Sequence, residues 1–268
     1  MGSGVADTIA RVLDRLQLDL AAAALGLVVG SYLNVVVHRL PRGLSTVLPR
    51  SRCPGCGAPI LWYDNVPLVS WLLLAGRCRR CGDAIAWRYP VLEALTAALF
   101  VAAAERFGWS WETPVAALLL SLLIALAAID VEHLLLPDRL TLPGIAVGLA
   151  VQPLVGWGGF VAALAGAALG GGILLALWGG WYLLRGEEGM GLGDVKMLAM
   201  IGAFLGWQGV VVALFSATLL GSLVGLGLMV GGRGGMKSQL PFGLFLSLGG
   251  ALALFAGPWL VDAYLGLL

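Results

Sequence analysis

Charged side chains are scarce in this sequence, and their scarcity bounds the class of protein. Asp, Glu, Lys and Arg make up 12% of the 268 residues and hydrophobic residues 60%, whereas a soluble domain carries about 25% charged residues. Lys196 and Lys237 are the only lysines, against fourteen arginines. The composition therefore excludes a soluble globular domain and predicts a polytopic membrane protein. The 40 glycines agree, because small residues let membrane helices pack closely.

The motifs of several common enzyme classes are also absent. His38 and His133 are the only histidines, and there is neither a Gly-x-Ser-x-Gly elbow nor a His-Glu-x-x-His helix. The glycine-rich run 189–193 is not followed by Gly-Lys-Ser/Thr, as a phosphate loop requires. A serine peptidase, a zinc peptidase and a nucleotide site are therefore poorly supported. Nothing predicts a nucleic-acid partner.

Long apolar runs predict an all-α fold with about eight transmembrane helices. A spanning helix needs roughly 20 mainly apolar residues. Candidate spans lie at 18–37, 91–104, 114–129, 141–156, 159–184, 208–230 and 240–261. An eighth run, at 196–206, is marginal for spanning because it is short. The expected domains are 1–38 with the first helix, a lobe at 39–90, and a bundle of about seven helices at 91–268.

Arginines concentrate in 39–90, which carries eight of them against two aspartates, a net charge of +6. Loops rich in Lys and Arg stay cytoplasmic, so this lobe is expected in the cytoplasm and the amino terminus in the periplasm. Eight spans also place the loop with Arg233 and Lys237 in the cytoplasm, with a periplasmic carboxyl terminus, whereas seven would turn that loop outward. The lobe's arginines are expected to contact anionic membrane lipids.

Four cysteines form two Cys-x-x-Cys pairs inside the lobe, Cys53 with Cys56 and Cys78 with Cys81. Each pair belongs to a repeated Arg-Cys-x-x-Cys-Gly-x-x-Ile segment, in which the glycine allows a tight turn. Four thiolates suit a tetrahedral structural zinc, which would stabilise a lobe too small to build its own core. Two local disulfides, free thiols or a redox role are the alternatives.

Acidic residues at helix ends are the candidate catalytic groups. Asp130 ends an apolar run, and Asp194 lies in the glycine-rich segment 189–196, so the predicted topology puts both on the cytoplasmic face. Two carboxyl groups in a site of low polarity share one proton, which lets one activate water and the other protonate a leaving group. The glycines are expected to allow close approach and positive φ beside Asp194. The structural alternatives are an N-cap role for Asp194 and a solvated interface charge for Asp130.

Taken together, these features resemble the type IV prepilin leader peptidase and N-methyltransferase family, which are membrane aspartic peptidases with a Gly-x-Gly-Asp motif. The matching segments are Gly30–Pro41, the four cysteines, Arg88–Glu93, Asp130-x-x-His133-x-x-Leu136-Pro137-Asp138, Gly189–Lys196 and Pro241-Phe242-Gly243. Together they cover nearly the whole chain.

The resemblance implies a bacterial inner-membrane enzyme with Asp130 and Asp194 as its catalytic pair. The residues implied to support this site are Gly191, Gly193, Lys196, Pro241 and Gly243. The implied substrate is a prepilin or pseudopilin with a short basic leader, cleaved at the cytoplasmic face. In many members, the same enzyme then methylates the new amino terminus with S-adenosylmethionine.

The methyltransferase residues are the least defined part of this expectation. Carried over from the family, Glu93 and the lobe 39–90 are where they are sought. The alternative for Glu93 is an ordinary acid at a helix start, favoured by the macrodipole. The alternative for the lobe's arginines is contact with an acidic residue of the pilin.

Two functions of other classes remain open from the residues alone. A proton-coupled transporter would use Asp130 and Asp194 as proton carriers, because buried acids and glycine-interrupted helices also mark transporters. A membrane scaffold held by zinc would leave these acids without a role.

Overall fold

A computed structural model describes residues 2–187, 190–232 and 240–266. Its helices are α1 (Gly2–Arg39), α2 (Val69–Leu73), α3 (Arg88–Phe107), α4 (Glu112–His133), α5 (Asp138–Ala150), α6 (Gly159–Arg185), α7 (Leu192–Val230) and α8 (Phe242–Leu265). Short 3-10 turns lie at 40–42, 62–65 and 152–154. The described residues contain no named strand, so the all-α prediction is confirmed. Gly189, Arg233 and Lys237 lie outside the described residues.

Within the described residues, five helical segments are long and apolar enough to cross a membrane. They are Val12–Arg42, Glu112–His133, Gly159–Arg185, Leu192–Val230 and Phe242–Tyr264. This confirms a multi-pass class but not the count of eight. For example, the span predicted at 141–156 is a helix of only 13 residues, α5. At about 1.5 Å per residue it is shorter than the roughly 30 Å hydrocarbon core.

The chain divides into two compact units, Met1–Ser121 and Leu122–Leu268, with the boundary inside α4. In the first unit, α1 packs against α3 at two glycines. A Cβ on Gly26 would lie 2.6 Å from Cα of Ala97, and one on Gly30 would lie 2.7 Å from Cα of Glu93. These contacts bear out the expectation that small residues bring helix backbones together.

In the second unit, α7 is broken at Gly206, where the predicted spans 196–206 and 208–230 meet. Gly206 has φ 70° and ψ −172°, a conformation that only glycine adopts readily. Residues eight apart in an unbroken helix are separated by about 12 Å. A Cβ on Gly202 would instead lie 2.8 Å from Cγ2 of Val210. The chain therefore turns back at Gly206, and α7 is two packed helices.

The break exposes backbone carbonyls that need new partners, and Gln152 supplies them. Its side-chain amide nitrogen lies 2.9 Å from the carbonyl oxygen of Ala203 and 3.1 Å from that of Phe204. Gln152 is 2% exposed. The 3-10 turn after α5 is thus fastened to the break in α7.

Candidate active site and metal site

Asp130 lies in the last turn of α4, at the end of a buried apolar face that includes Leu126 and Ile129. Its own side chain is buried, with 5% exposed. The helix ends just beyond it, where the N–H of Leu134 donates to the carbonyl of Asp130 at 2.8 Å and Leu134 takes φ 50°. The predicted position at a helix end is confirmed, and the solvated interface alternative is wrong.

The amino terminus of α8 holds the carboxylate of Asp130. The N–H of Leu244 donates to Oδ2 of Asp130 at 3.2 Å, and the backbone of Gly243 also hydrogen-bonds this carboxylate. Pro241 is the residue that precedes the helix. Unpaired N–H groups and the helix dipole favour a negative group at this end. The late Pro241-Phe242-Gly243 motif therefore contributes backbone donors to the site.

Asp194 lies in the first turn of α7 and is 9% exposed. The N-cap position belongs to Gly191, with φ −73° and ψ 139°, so the N-cap alternative for Asp194 is wrong. Leu136 contacts both Gly193, next to Asp194, and Gly243, where an added Cβ would lie 2.9 Å from Oδ2 of Asp130. The two acids that the sequence singled out are therefore brought together.

Neither glycine beside Asp194 supplies an unusual backbone angle, and Gly193 serves close packing instead. Neither Gly191 nor Gly193 has a positive φ, so that part of the prediction is wrong. A Cβ on Gly193 would instead lie 2.8 Å from Cβ of Leu136, and one on Gly243 would lie 2.9 Å from Cδ2 of Leu136. Leu136 thus packs between α7 and α8 next to both acids, and a side chain at either glycine would displace it.

Lys196 forms an ion pair whose partner the sequence did not reveal. Its Nζ lies 2.6 Å from Oδ1 of Asp138, the first residue of α5. This contact ties the start of α5 to the first helix of α7, two residues beyond Asp194. Lys196 therefore lies in the neighbourhood of the site, and the described contact is with Asp138 rather than with either catalytic candidate.

Ser247 is a residue near the site that the sequence motifs did not predict. Its hydroxyl donates to the carbonyls of Leu123 and Gly243, each at 2.9 Å, and its side chain is buried. It therefore fastens α8 to α4 one turn beyond Gly243. No motif in the sequence distinguishes it, because its partner Leu123 lies 124 residues away.

The four cysteines converge in the first unit. Their sulfurs all lie within 4.8 Å of one another, and the Sγ atoms of Cys53 and Cys81 are 3.7 Å apart. Thiolates about 2.3 Å from a tetrahedral zinc lie about 3.8 Å from one another. All four are free cysteines without a disulfide. The donor set therefore fits a structural metal.

The two halves of the sequence repeat fold alike around this cluster. The N–H of Gly57 donates to the carbonyl of Cys53 at 2.9 Å, and that of Gly82 donates to Cys78 at the same distance. Gly57 has φ 68° and Gly82 has φ 76°, so the tight turn predicted for each glycine is confirmed. Each pair forms the knuckle that a four-cysteine site needs.

Backbone hydrogen bonds in the second knuckle also affect the pKa values of the Cys78 and Cys81 thiols. N–H groups of Cys81 and Arg80 donate to the sulfur of Cys78 and lower the pKa of its thiol to about 6. The N–H of Asp83 favours the Cys81 thiolate, but desolvation and bonds to the other sulfurs raise the pKa of Cys81 to about 12. Cysteines bind a metal ion as thiolates, so metal binding by this cluster would release protons.

Glu93 is buried in α3, with 8% exposed. Its Oε2 accepts the N–H of Leu68 at 2.8 Å, and the hydroxyl of Ser31 also hydrogen-bonds its carboxylate. Leu68 has φ 58°, an unfavourable angle for a branched residue. Glu93 lies beyond the first turn of its helix, so it is not an ordinary helix-start acid. It holds the strained turn that leads into α2.

Comparison with known proteins agrees with this geometry. Residues 24–107 match the bacterial peptidase A24 N-terminal domain, and residues 117–226 match the type IV leader peptidase family. A protein of Myxococcus xanthus named prepilin leader peptidase/N-methyltransferase is 46% identical over 217 residues, which are 80% of this chain and 64% of that protein.

Relatives with the same name match over nearly their full lengths. The one from Aeromonas hydrophila is 41% identical over 89% of this chain and 91% of its own. The one from Pseudomonas aeruginosa is 38% identical over 93% of this chain and 94% of its own. No solved structure is significantly similar to the chain. Nothing in these comparisons favours the proton-coupled transporter.

Proposed function

Because the chain belongs to the type IV leader peptidase family, we propose that it is a membrane aspartic endopeptidase that removes the short basic leader from type IV prepilins or type II secretion pseudopilins. It then methylates the new amino terminus. The observation that carries this proposal is the meeting of two buried acids from different helices, Asp130 and Asp194, beside the closely packed Gly193 and Gly243. The enzyme is a multi-pass protein of the bacterial inner membrane.

Peptide hydrolysis follows from the pair. Two neighbouring carboxyl groups of low exposure share one proton. The ionised group takes a proton from water, whose oxygen attacks the scissile carbonyl, and the other group protonates the leaving amine. No covalent intermediate is required. The backbone donors of Gly243 and Leu244 fix the orientation of Asp130.

The distribution of positive charge indicates which segments face the cytoplasm. The lobe 39–90 carries the net charge of +6 and is assigned to the cytoplasm by the positive-inside rule. With eight spans, both termini are periplasmic and the catalytic pair faces the cytoplasm. A basic leader that stays in the cytoplasm is thereby presented to the site.

The four-cysteine site is assigned to zinc with a structural role, because four protein ligands leave no open position for chemistry. S-adenosylmethionine supplies the methyl group for the second reaction. We assign the methyltransferase region to the lobe, with Glu93 as a positioning residue that orders its turn at Leu68. The carboxylate of Glu93 accepts hydrogen bonds from Leu68 and Ser31.

Separate Asp130→Asn and Asp194→Asn variants test the peptidase assignment in purified protein incubated with a prepilin. General acid–base groups contribute roughly 10²–10⁴-fold, so each variant is expected to lose cleavage on that scale. Asp262→Asn, the same change at an exposed acid of α8, is the matched control and should cleave normally. Near-normal cleavage by either catalytic variant would contradict the proposal.

A further inference from the structure

A cavity of about 340 Å³ lies in the first unit between the end of α1, the segment 43–51 and the turn 62–65. This size is at the lower end of the about 300–1,000 Å³ typical of ligand sites. Its hydrogen-bonding side chains are Arg39, Thr46, Arg50, Ser51, Trp62 and Asn65. The peptide hydrolysis proposed above uses none of them.

The walls of the cavity are fixed by hydrogen bonds. Arg39 donates from Nη1 to the carbonyl of Ser45 at 3.0 Å, and the hydroxyl of Tyr32 donates to that of Thr46 at 3.2 Å. On the other side, the N–H of Ile60 donates to the carbonyl of Ser51 at 3.0 Å, next to the first cysteine knuckle. The cavity is therefore built by α1 and by the metal lobe together.

Charge decides the class of ligand. Within the described part of the chain, neither Arg39 nor Arg50 forms an ion pair with an acidic residue, and no acidic residue lines the cavity. Arg79 of the same lobe, in contrast, is paired with Asp64 at 2.7 Å. Two uncompensated guanidinium groups suit a phosphate or carboxylate. They disfavour S-adenosylmethionine, whose sulfonium is a cation.

The rim indicates where that anion comes from. Apolar side chains around the cavity are strongly exposed, with Val47 at 75%, Leu48 at 68% and Trp62 at 83%. The cavity also lies at the end of the membrane-spanning segment Val12–Arg42. Aromatic and apolar groups beside arginines at such a level are typical of the headgroup region. We propose that this cavity binds the headgroup of an anionic phospholipid, with its rim in the acyl boundary.

Native mass spectrometry of the full-length protein in neutral detergent tests the proposal. Phosphatidylglycerol and phosphatidylcholine with the same acyl chains are titrated separately, and the bound fraction is measured. Wild type is expected to retain phosphatidylglycerol in preference to phosphatidylcholine. The double change Arg39→Gln and Arg50→Gln should weaken retention by about fivefold for each charge removed. Arg77→Gln is the matched control, because this exposed arginine lies in the lobe but does not line the cavity.

Each other outcome overturns the proposal. Equal retention of the two lipids would show that the cavity does not select an anionic headgroup. Equal weakening by Arg77→Gln would indicate a diffuse basic surface. Displacement of the lipid by millimolar inorganic phosphate alone would assign the site to a free anion, and displacement by S-adenosylhomocysteine would assign it to the methyl donor. Zinc content, measured on each variant, separates loss of the site from unfolding of the lobe.

Discussion

The cysteine lobe and the helical unit that carries the acids are built in opposite ways. In the lobe, the decisive hydrogen bonds join residues a few positions apart, such as the N–H of Cys53 and the carbonyl of Ala58 at 2.9 Å. In the helical unit, the bond that orients Asp130 comes from Leu244, 114 residues away. The lobe therefore depends on local turns and a metal, and the acid pair depends on how distant helices pack.

This difference predicts that the two regions respond to different perturbations. Metal loss should disorganise the lobe first, since a region of this size buries little apolar surface. Added volume at a helix contact should displace the acids first, because packed interiors do not absorb even small additions without strain.

Removing one metal ligand with Cys78→Ser should abolish tight zinc binding, because a structural zinc contributes about 10–16 kcal/mol in small domains. Metal analysis of the purified protein gives the zinc content. Methylation of a pre-cleaved pilin, followed by mass measurement of its amino terminus, should fall with the zinc. Cleavage should fall less than methylation. Equal loss of the two activities would contradict the independence of the regions.

Adding volume beside the acids with Gly243→Val should reduce cleavage by about 10²-fold, on the scale of a lost acid–base contribution. Even a single Cβ there would lie 2.9 Å from Oδ2 of Asp130. The matched control is Gly227→Val in α7, where a Cβ meets no atom within 4 Å. Zinc content should stay normal in both. Unchanged cleavage by the Gly243 variant would show that the packing does not fix Asp130.

Replacing Gln152 by Leu should lower the unfolding free energy of the helical unit by about 1–3 kcal/mol, the cost of leaving buried polar groups unpaired. The carbonyls of Ala203 and Phe204 would lose their side-chain donor at the α7 break. Thermal unfolding in detergent measures the change, and the exposed Gln208→Leu serves as control. A midpoint equal to that of the control variant would contradict the proposed role.

Breaking the Asp138–Lys196 pair with Asp138→Asn should have the smallest effect. Both side chains are partly exposed, at 55% and 32%, and such pairs are worth about 0–1 kcal/mol. The coupling in a double-mutant cycle with Lys196→Gln should shrink at high salt. A salt-independent coupling well above that range would show that the pair is part of the rigid site.

The difference between local and long-range contacts also explains which features can be predicted from the sequence. The cysteine spacing and the glycine after each pair predicted the knuckles, because turns and ligand spacing are local properties. The acids themselves were also predicted, since a carboxylate at the end of an apolar helix is costly without a function. Their surroundings were not. Leu136, Ser247 and Gln152 acquire their roles only when helices far apart in sequence come together.

One wrong prediction and one unconfirmed count have the same physical origin. The glycines near Asp194 were expected to supply positive φ, but Gly193 is required by its contact with Leu136, which no local pattern encodes. The count of eight spans, which is not confirmed, relied on apolar length; α5 has only 13 residues, and the break at Gly206 divides α7 where the predicted runs 196–206 and 208–230 meet. Length and hydropathy describe a segment by itself and do not specify which neighbours bury it.

The most direct test of the central claim compares prepilin cleavage by Asp130→Asn, by Asp194→Asn and by the double variant. Groups that act as one unit are not additive, so removing both should cost about as much as removing either one. The account predicts that the three rates are equally low, with zinc content unchanged. Losses that multiply in the double variant, or a single variant that cleaves at nearly the wild-type rate, would contradict a shared catalytic pair.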